Sequence, residues 1–174
     1  LENVHTNPRF TIDLVNRKSF VDDRLTVIDV GSRKGFQKQW DVYSDQVVRI
    51  GFEPNTKSYE DSESRDIGKE IIHYPYALGR KNGAQQLNIA AYKSASSVYM
   101  PNEPLLKRFG LYDHLKVVDE ETVEMVTLDK FANLHNIGDV DFIKIDVEGG
   151  ELDVFYGAGK VIQKVIGVSV EVSF

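Results

Sequence analysis

The chain has 174 residues, 41% of them hydrophobic, which is enough apolar material for one ordinary core and so for a single domain. A formal net charge of −6 and a pI near 5.2 exclude the basic surface that a nucleic-acid partner requires, and the lack of cysteine excludes disulfides, thiolate metal sites and cysteine nucleophiles. No apolar run nears the roughly 20 residues of a membrane span. A cytoplasmic protein without a membrane partner is the expectation, and the start at Leu1 reads as a fragment or a processed product.

Residues 1–24 read as a helical lead-in. Asn7-Pro8 resembles a cap followed by proline in the first turn, and Phe10, Leu14 and Val15 share a face that can pack on a sheet. Residues 25–174 then alternate between strands and helices. The stretch LTVIDVGSRKG, Leu25 to Gly35, reads as a short buried strand rich in β-branched residues that ends at a glycine-bracketed turn. Gly31 and Gly35 allow backbone angles closed to other residues and let a nucleotide-sized group lie against the turn. Phe36, Trp40 and Tyr43 follow at i, i+4 and i+7, one face of a helix and most simply core.

Val47 to Phe52 forms a second buried strand ending in Glu53-Pro54-Asn55, with Asn55 able to cap a helix running to Gly68. Glu53 follows Gly31 at close to the ~20-residue spacing at which an acidic side chain meets ribose hydroxyls in a βαβ nucleotide site. Glu70 to Leu78 reads as a third strand turning at Gly79, and Asn82-Gly83 predicts a hairpin that returns Gln85 to Ala91 beside it. Residues 92–121 are rich in small and polar residues, with one short helix over Pro104 to Phe109, and are the expected variable substrate surface.

Val123 to Val126 is a further strand and Leu128 to Leu134 a helix. Phe142 to Ile145 is the fourth buried strand, ending in Asp146, Glu148, Gly149, Gly150 and Glu151. Leu152, Phe155 and Tyr156 then mark a helix face, and Val165 to Val172 is a fifth strand carrying Glu171. This order predicts a doubly wound, mostly parallel α/β sheet with right-handed crossovers. Lys144, on a buried strand, is expected to pair with a carboxylate. Glu151 is expected to be a favourable charge in a first helical turn, and the four histidines show no ligand spacing.

In such a sheet the ligand lies beyond the carboxyl ends of the strands, where the strand order reverses. With the fourth strand beside the first, Glu53 falls on the ribose side of one crevice and Asp146 and Glu148 on the other. A carboxylate-lined crevice suits the sulfonium and ammonium of S-adenosylmethionine, because opposite charges attract far more strongly in a partly dry cleft than in water. NAD presents a pyrophosphate, and Gly31-Ser32-Arg33-Lys34-Gly35 lacks the middle glycine of a dinucleotide turn. A nicotinamide-dependent oxidoreductase and a non-catalytic binding scaffold are the competing readings.

The chain resembles the FkbM-type S-adenosylmethionine-dependent methyltransferases in VIDVGSRKG at 27–35, GFEPN at 51–55, YALG at 76–79, TLDKF at 127–131 and DFIKIDVEGGELDVFYGA at 141–158. The last is the most specific. The resemblance implies a Rossmann-like fold and O-methylation of a hydroxyl on a small-molecule, sugar or polyketide-like acceptor. It also implies that Asp29, Gly31, Ser32 and Gly35 shape the methionine end of the cofactor pocket and that Glu53, followed by Pro54, holds the ribose diol. Ala77 and Leu78 would lie near adenine, Asp146 and Glu148 would face the cofactor amine or the acceptor, and Ser96 and Ser97 match a serine-rich spot. The transfer would be a single in-line displacement, with Asp146 or Glu148 as the base. A divalent cation on Asp146, Glu148 and Glu171 is conceivable but not required, and no metal is assigned. The family's fold adds two strands after the fifth, so strands are expected to be missing at the C-terminus, and the uncovered edge would invite a second copy of the chain.

Overall fold

A computed structural model describes residues 8–65 and 71–172. The expected cap at Asn7, helix end at Gly68 and strand start at Glu70 lie outside the described residues, as does His5.

The first sheet is built on β1 (Leu25–Val30), β2 (Val47–Phe52), β3 (Ile71–Tyr74), β7 (Phe142–Ile145) and β8 (Gly167–Val170) in the order β3-β2-β1-β7-β8. All four of its pairings are parallel. The order reverses between β1 and β7, as the alternation of elements predicts, and the architecture is a Rossmann-like α/β sheet with flanking helices. Val27, Ile28, Val30, Ile50, Phe52, Ile143 and Ile145 are each at most 1% exposed. Strands buried on both faces need largely apolar runs, and β1, β2 and β7 have them, with one charged residue in each, Asp29, Arg49 and Lys144.

The helices are α1 (Arg9–Asn16), α2 (Thr56–Arg65), α3 (Glu103–Arg108), α4 (Tyr112–Leu115), α5 (Leu128–Leu134) and α6 (Glu151–Gly157). Thr127 caps α5 through its hydroxyl, which accepts from the Lys130 N–H, and Leu128, Phe131 and Ala132 turn inward. Val154 and Gly157 are the buried residues of α6, whereas Leu152 and Tyr156 are 61% and 63% exposed. The face expected from residues 152, 155 and 156 is thus rotated toward Val154. Among the described residues no helix is long and apolar enough to cross a membrane.

Other expectations are corrected too. The segment after Gly35 is not an α-helix: Ser32–Lys34 and Lys38–Gln46 are 3-10 turns, and Ser44 breaks the second with φ 50°. Trp40 and Tyr43 pack all the same, with the Trp40 ring 5.0 Å from Phe142 and 5.8 Å from Tyr43. On α1, Phe10 is 75% exposed. The lead-in is held instead by Gln46, whose amide donates to the Val15 carbonyl and accepts from the Phe20 N–H.

The expected third strand is two strands in two sheets. Pro75 has no N–H to donate, so the ladder stops at Tyr74. The next residues, β4 (Tyr76–Leu78), pair parallel with β6 (Val117–Val126) in a second sheet of order β4-β6-β5. Asn82-Gly83 does not close a hairpin, because β4 and the strand that begins at Gly83 both pair with β6 rather than with each other. β5 (Gly83–Ala90) pairs antiparallel with β6, which lies between it and β4, and the Asn82 side chain accepts from the Thr127 N–H. Ala77, Leu87, Ile89, Val123 and Met125 form this sheet's own small core.

Candidate functional site

Parallel ladders continue one residue past the strands and set four chain positions in a row. Glu53 N–H donates to the Tyr74 carbonyl, Gly31 N–H to Phe52, Asp146 N–H to Val30 and Glu171 N–H to Ile145, at 3.0–3.1 Å. Glu53 and Asp146 each follow a largely buried β-branched or aromatic run, which forces the next polar residue to the sheet's carboxyl edge, whereas Glu171 follows the partly exposed edge strand β8.

Over this edge, closed on the far side by the second sheet, lies a cavity of about 340 Å³. Gly31, Glu53, Pro54, Ala77, Leu78, Asp146, Glu148, Ser96 and Ser97 all line it. Glu53 and Asp146, which come from opposite sides of the strand-order reversal, therefore share one hollow. Its volume is that of a small-molecule site, with an apolar wall from Ala77, Leu78, Leu87 and Met125 and a polar floor at the strand ends.

Asp29, Ser32 and Gly35 do not line the cavity; they sit beneath or beside it. Asp29 is 3% exposed and forms an ion pair with Lys144, whose ammonium lies 3.1 Å from Asp29 Oδ1 and 3.2 Å from Asp146 Oδ2. Burial pushes the Asp29 carboxyl up and the Lys144 charge works against it. For Lys144, burial lowers its proton affinity, but the two carboxylates outweigh it and the ammonium is held above its usual range. The expected carboxylate pairing of Lys144 is what the fold contains. Ser32 is completely buried, with its hydroxyl directly beneath Gly51.

Glu53 is 6% exposed, and burial raises it to about 7 against the opposing effects of the Asn55 N–H and Arg33. Its Oε1 accepts from the Asn55 N–H at 2.9 Å, and the Asn55 side chain caps α2 by accepting from the Ser58 N–H at 3.0 Å. Glu-Pro-Asn is thus one device, a carboxylate oriented by the same turn that starts the helix.

Glu148 sits in the left-handed region at φ 55°, followed by Gly149 at φ 98°. Burial, then the charges of Asp146, Glu171 and Glu151, raise its carboxyl above the ordinary range. Glu151 accepts from the N–H groups of Val147 and Gly149, which gives it a loop-bracing role beyond its charge at the α6 N-terminus. Among the described residues no three of His, Cys, Asp and Glu are grouped so as to hold a metal, so Asp146, Glu148 and Glu171 do not make a cation site.

Sequence reading missed Arg33, Tyr76 and Asp153 as cavity residues. Asp153 accepts from Tyr99 and pairs with Arg80, whose guanidinium lies 4.6 Å from the Tyr156 ring centre. Its one local signal was a second acid in the first turn of α6.

No curated protein and no solved structure matches the chain. Residues 29–174 match the methyltransferase FkbM domain, the family whose motifs stand at the strand ends just described. With that match covering most of its length and a strand order that reverses at the carboxylate-lined cavity, the chain belongs to the FkbM methyltransferase family.

Proposed function

We propose that this protein transfers a methyl group from S-adenosylmethionine to a hydroxyl of a small-molecule or glycan acceptor. The observation that carries the reading is that Glu53 and the Asp146–Glu148 segment face one cavity from the two strand ends that flank the reversal in strand order. The residues fit the cofactor. Glu53, once ionised, accepts from the ribose hydroxyls; Ala77, Leu78 and Met125 cover the adenine; Asp146 faces the amine, its charge balanced in part by Lys144.

When bound, S-adenosylmethionine supplies a methyl group on a cationic sulfur, open to direct displacement. The chain's own contribution is to hold the acceptor oxygen in line, to exclude water and to receive the hydroxyl proton. Glu148 is the candidate acceptor of that proton, since its raised proton affinity brings it toward the range a base needs, a contribution of ~10²–10⁴-fold. A dinucleotide site is disfavoured, because Gly31 is followed by a three-residue 3-10 turn rather than by the helix whose N-terminus a pyrophosphate requires.

Thermal denaturation with S-adenosylhomocysteine and with NADH tests the cofactor, and labelled methyl transfer to a panel of hydroxyl compounds tests the reaction. The expected result is stabilisation by the first ligand alone, together with label in an ether product. Stabilisation by NADH alone would overturn the reading. Stabilisation by S-adenosylhomocysteine without transfer to any acceptor would make the chain a binding scaffold.

A further inference from the structure

A second cavity, of about 530 Å³, lies between the β5–β6 pair and the α3–α4 segment, and it shares Ser97 and Glu148 with the first. The wall between them is firmly built. Asn88 and Ser97 exchange backbone hydrogen bonds at 2.8 and 3.1 Å, the Asn88 amide donates to the Ser97 carbonyl at 3.0 Å, and Ser97 Oγ donates to the Glu148 carbonyl at 2.7 Å. Glu148 is the one carboxylate common to the lining of both cavities among the described residues.

Beyond that wall the chemistry changes. Met100, Leu105, Leu106, Phe109 and Leu111 line the second cavity, and no lysine, arginine or histidine among the described residues does so. Met100 and Phe109 are 64% and 66% exposed, and Leu105 and Leu111 close to half. A chain in water leaves such a cluster open when a ligand or a partner covers it. Its continuity with the strand-end cavity through Glu148 favours a ligand, and the missing cations exclude a phosphorylated or carboxylated one. The scarcity of polar groups excludes a glycan, whose hydroxyls would lose water without finding partners.

We infer that this second cavity is the acceptor site and that the acceptor is an uncharged, hydrocarbon-rich molecule whose hydroxyl reaches Glu148 at the shared wall. The inference rests on the methyl-transfer reading above and narrows its acceptor class. The acceptor enters against α3 and α4 with its apolar body in the second cavity, and its oxygen meets the methyl donor at the Ser97–Glu148 wall. The transfer balances as one bond formed between the acceptor oxygen and the methyl carbon, one carbon–sulfur bond broken with its electron pair left on sulfur, and one proton passed to Glu148.

The test uses 1-naphthol fluorescence, with displacement by 1-butanol, 1-hexanol and 1-octanol, alongside methyl glucoside and the S-adenosylhomocysteine thermal shift. Affinity is expected to rise about fourfold per added methylene, as burial of hydrocarbon predicts. Phe109→Asp and Leu111→Asp, at positions 66% and 45% exposed, should each weaken 1-naphthol at least tenfold and leave the S-adenosylhomocysteine shift unchanged. A flat alcohol series, tighter binding of methyl glucoside, or wild-type affinity in both variants would overturn the inference. So would a dimer that Phe109→Asp converts to monomer, since a second copy would then cover this face. Loss of the S-adenosylhomocysteine shift with alcohol binding intact would instead refute the donor site and leave the apolar pocket standing.

Discussion

A β-carbon on Gly31 would lie 2.0 Å from the carbonyl oxygen of Asp146. The glycine that ends β1 is thus required first by the neighbouring strand end rather than by a ligand, and its φ of 84° adds a conformational need for the same residue. Gly31→Ala must push the ends of β1 and β7 apart at the point where the cavity floor is formed. A loss of about 3 kcal/mol or more is expected, read as a lower denaturant midpoint at constant slope. A midpoint like that of the unaltered chain would mean the two strand ends are not in contact.

Lys144 lies between Asp29 and Asp146, and Asp29 is nearly fully buried. Lys144→Met leaves Asp29 without its counter-charge, a change that typically costs about 3 kcal/mol. Asp29 is already raised in the folded chain, so its protonated form favours folding, and the penalty should shrink as pH falls and grow as pH rises. Equilibrium unfolding of the variant in mildly acidic and mildly alkaline buffer checks this. Adding Asp29→Asn should recover much of the loss.

Glu53 titrates near 7 in the folded chain against an ordinary value of 4.5. Between those values the folded state holds the extra proton, so this group's stabilising contribution is full at low pH and is lost as pH rises through about 7. Glu53→Gln should flatten that part of the stability–pH curve. Ribose hydroxyls donating to Glu53 favour its ionised form, so S-adenosylhomocysteine binding should release protons at slightly acidic pH. Calorimetry in two buffers of different ionisation enthalpy would show a difference, and its absence would remove Glu53 from the ribose.

Tyr99 ties the segment leading into α3 to Asp153 on α6, and Arg80 holds Asp153 from the other side. The contact is exposed, so Tyr99→Phe should cost less than about 1 kcal/mol. Hydrogen exchange in residues 92–101 should accelerate nonetheless, because the segment loses its fastening to α6. Unchanged exchange there would show that the Asn88–Ser97 pairing alone holds the segment.

Much of the first sheet was legible in the chain. Val47 to Phe52, Leu128 to Leu134 and Phe142 to Ile145 were read at the bounds they adopt, because each is a short apolar period with a turn or cap beside it. The acids following those strands were legible for the same reason: the first polar residue after a buried run must surface at the sheet edge.

What local pattern could not supply was pairing. The Asn82-Gly83 signal was that of a tight hairpin, yet β6, some 40 residues on, takes the place between β4 and β5. The split at Pro75 was visible only as one missing donor, and the spacing of residues 36, 40 and 43 did not reveal the 3-10 course of residues 38–46, in which Trp40 packs on Phe142. Most of the second cavity's lining falls in the 92–121 stretch singled out from composition, but the cavity itself was not legible, because its other walls come from β5 and the turn after β7.

The sequence by itself determined the central strands of the first sheet, the acids at the ends of β2 and β7, and the family, since all of these depend on neighbours a few positions apart. Tertiary structure decided that β7 does lie beside β1, the condition for Glu53 and Asp146 to share one hollow, that the partners of Lys144 are Asp29 and Asp146, and that Glu148 borders both cavities. Those relations join residues far apart in the chain, and only the packed sheets bring them within reach of one another.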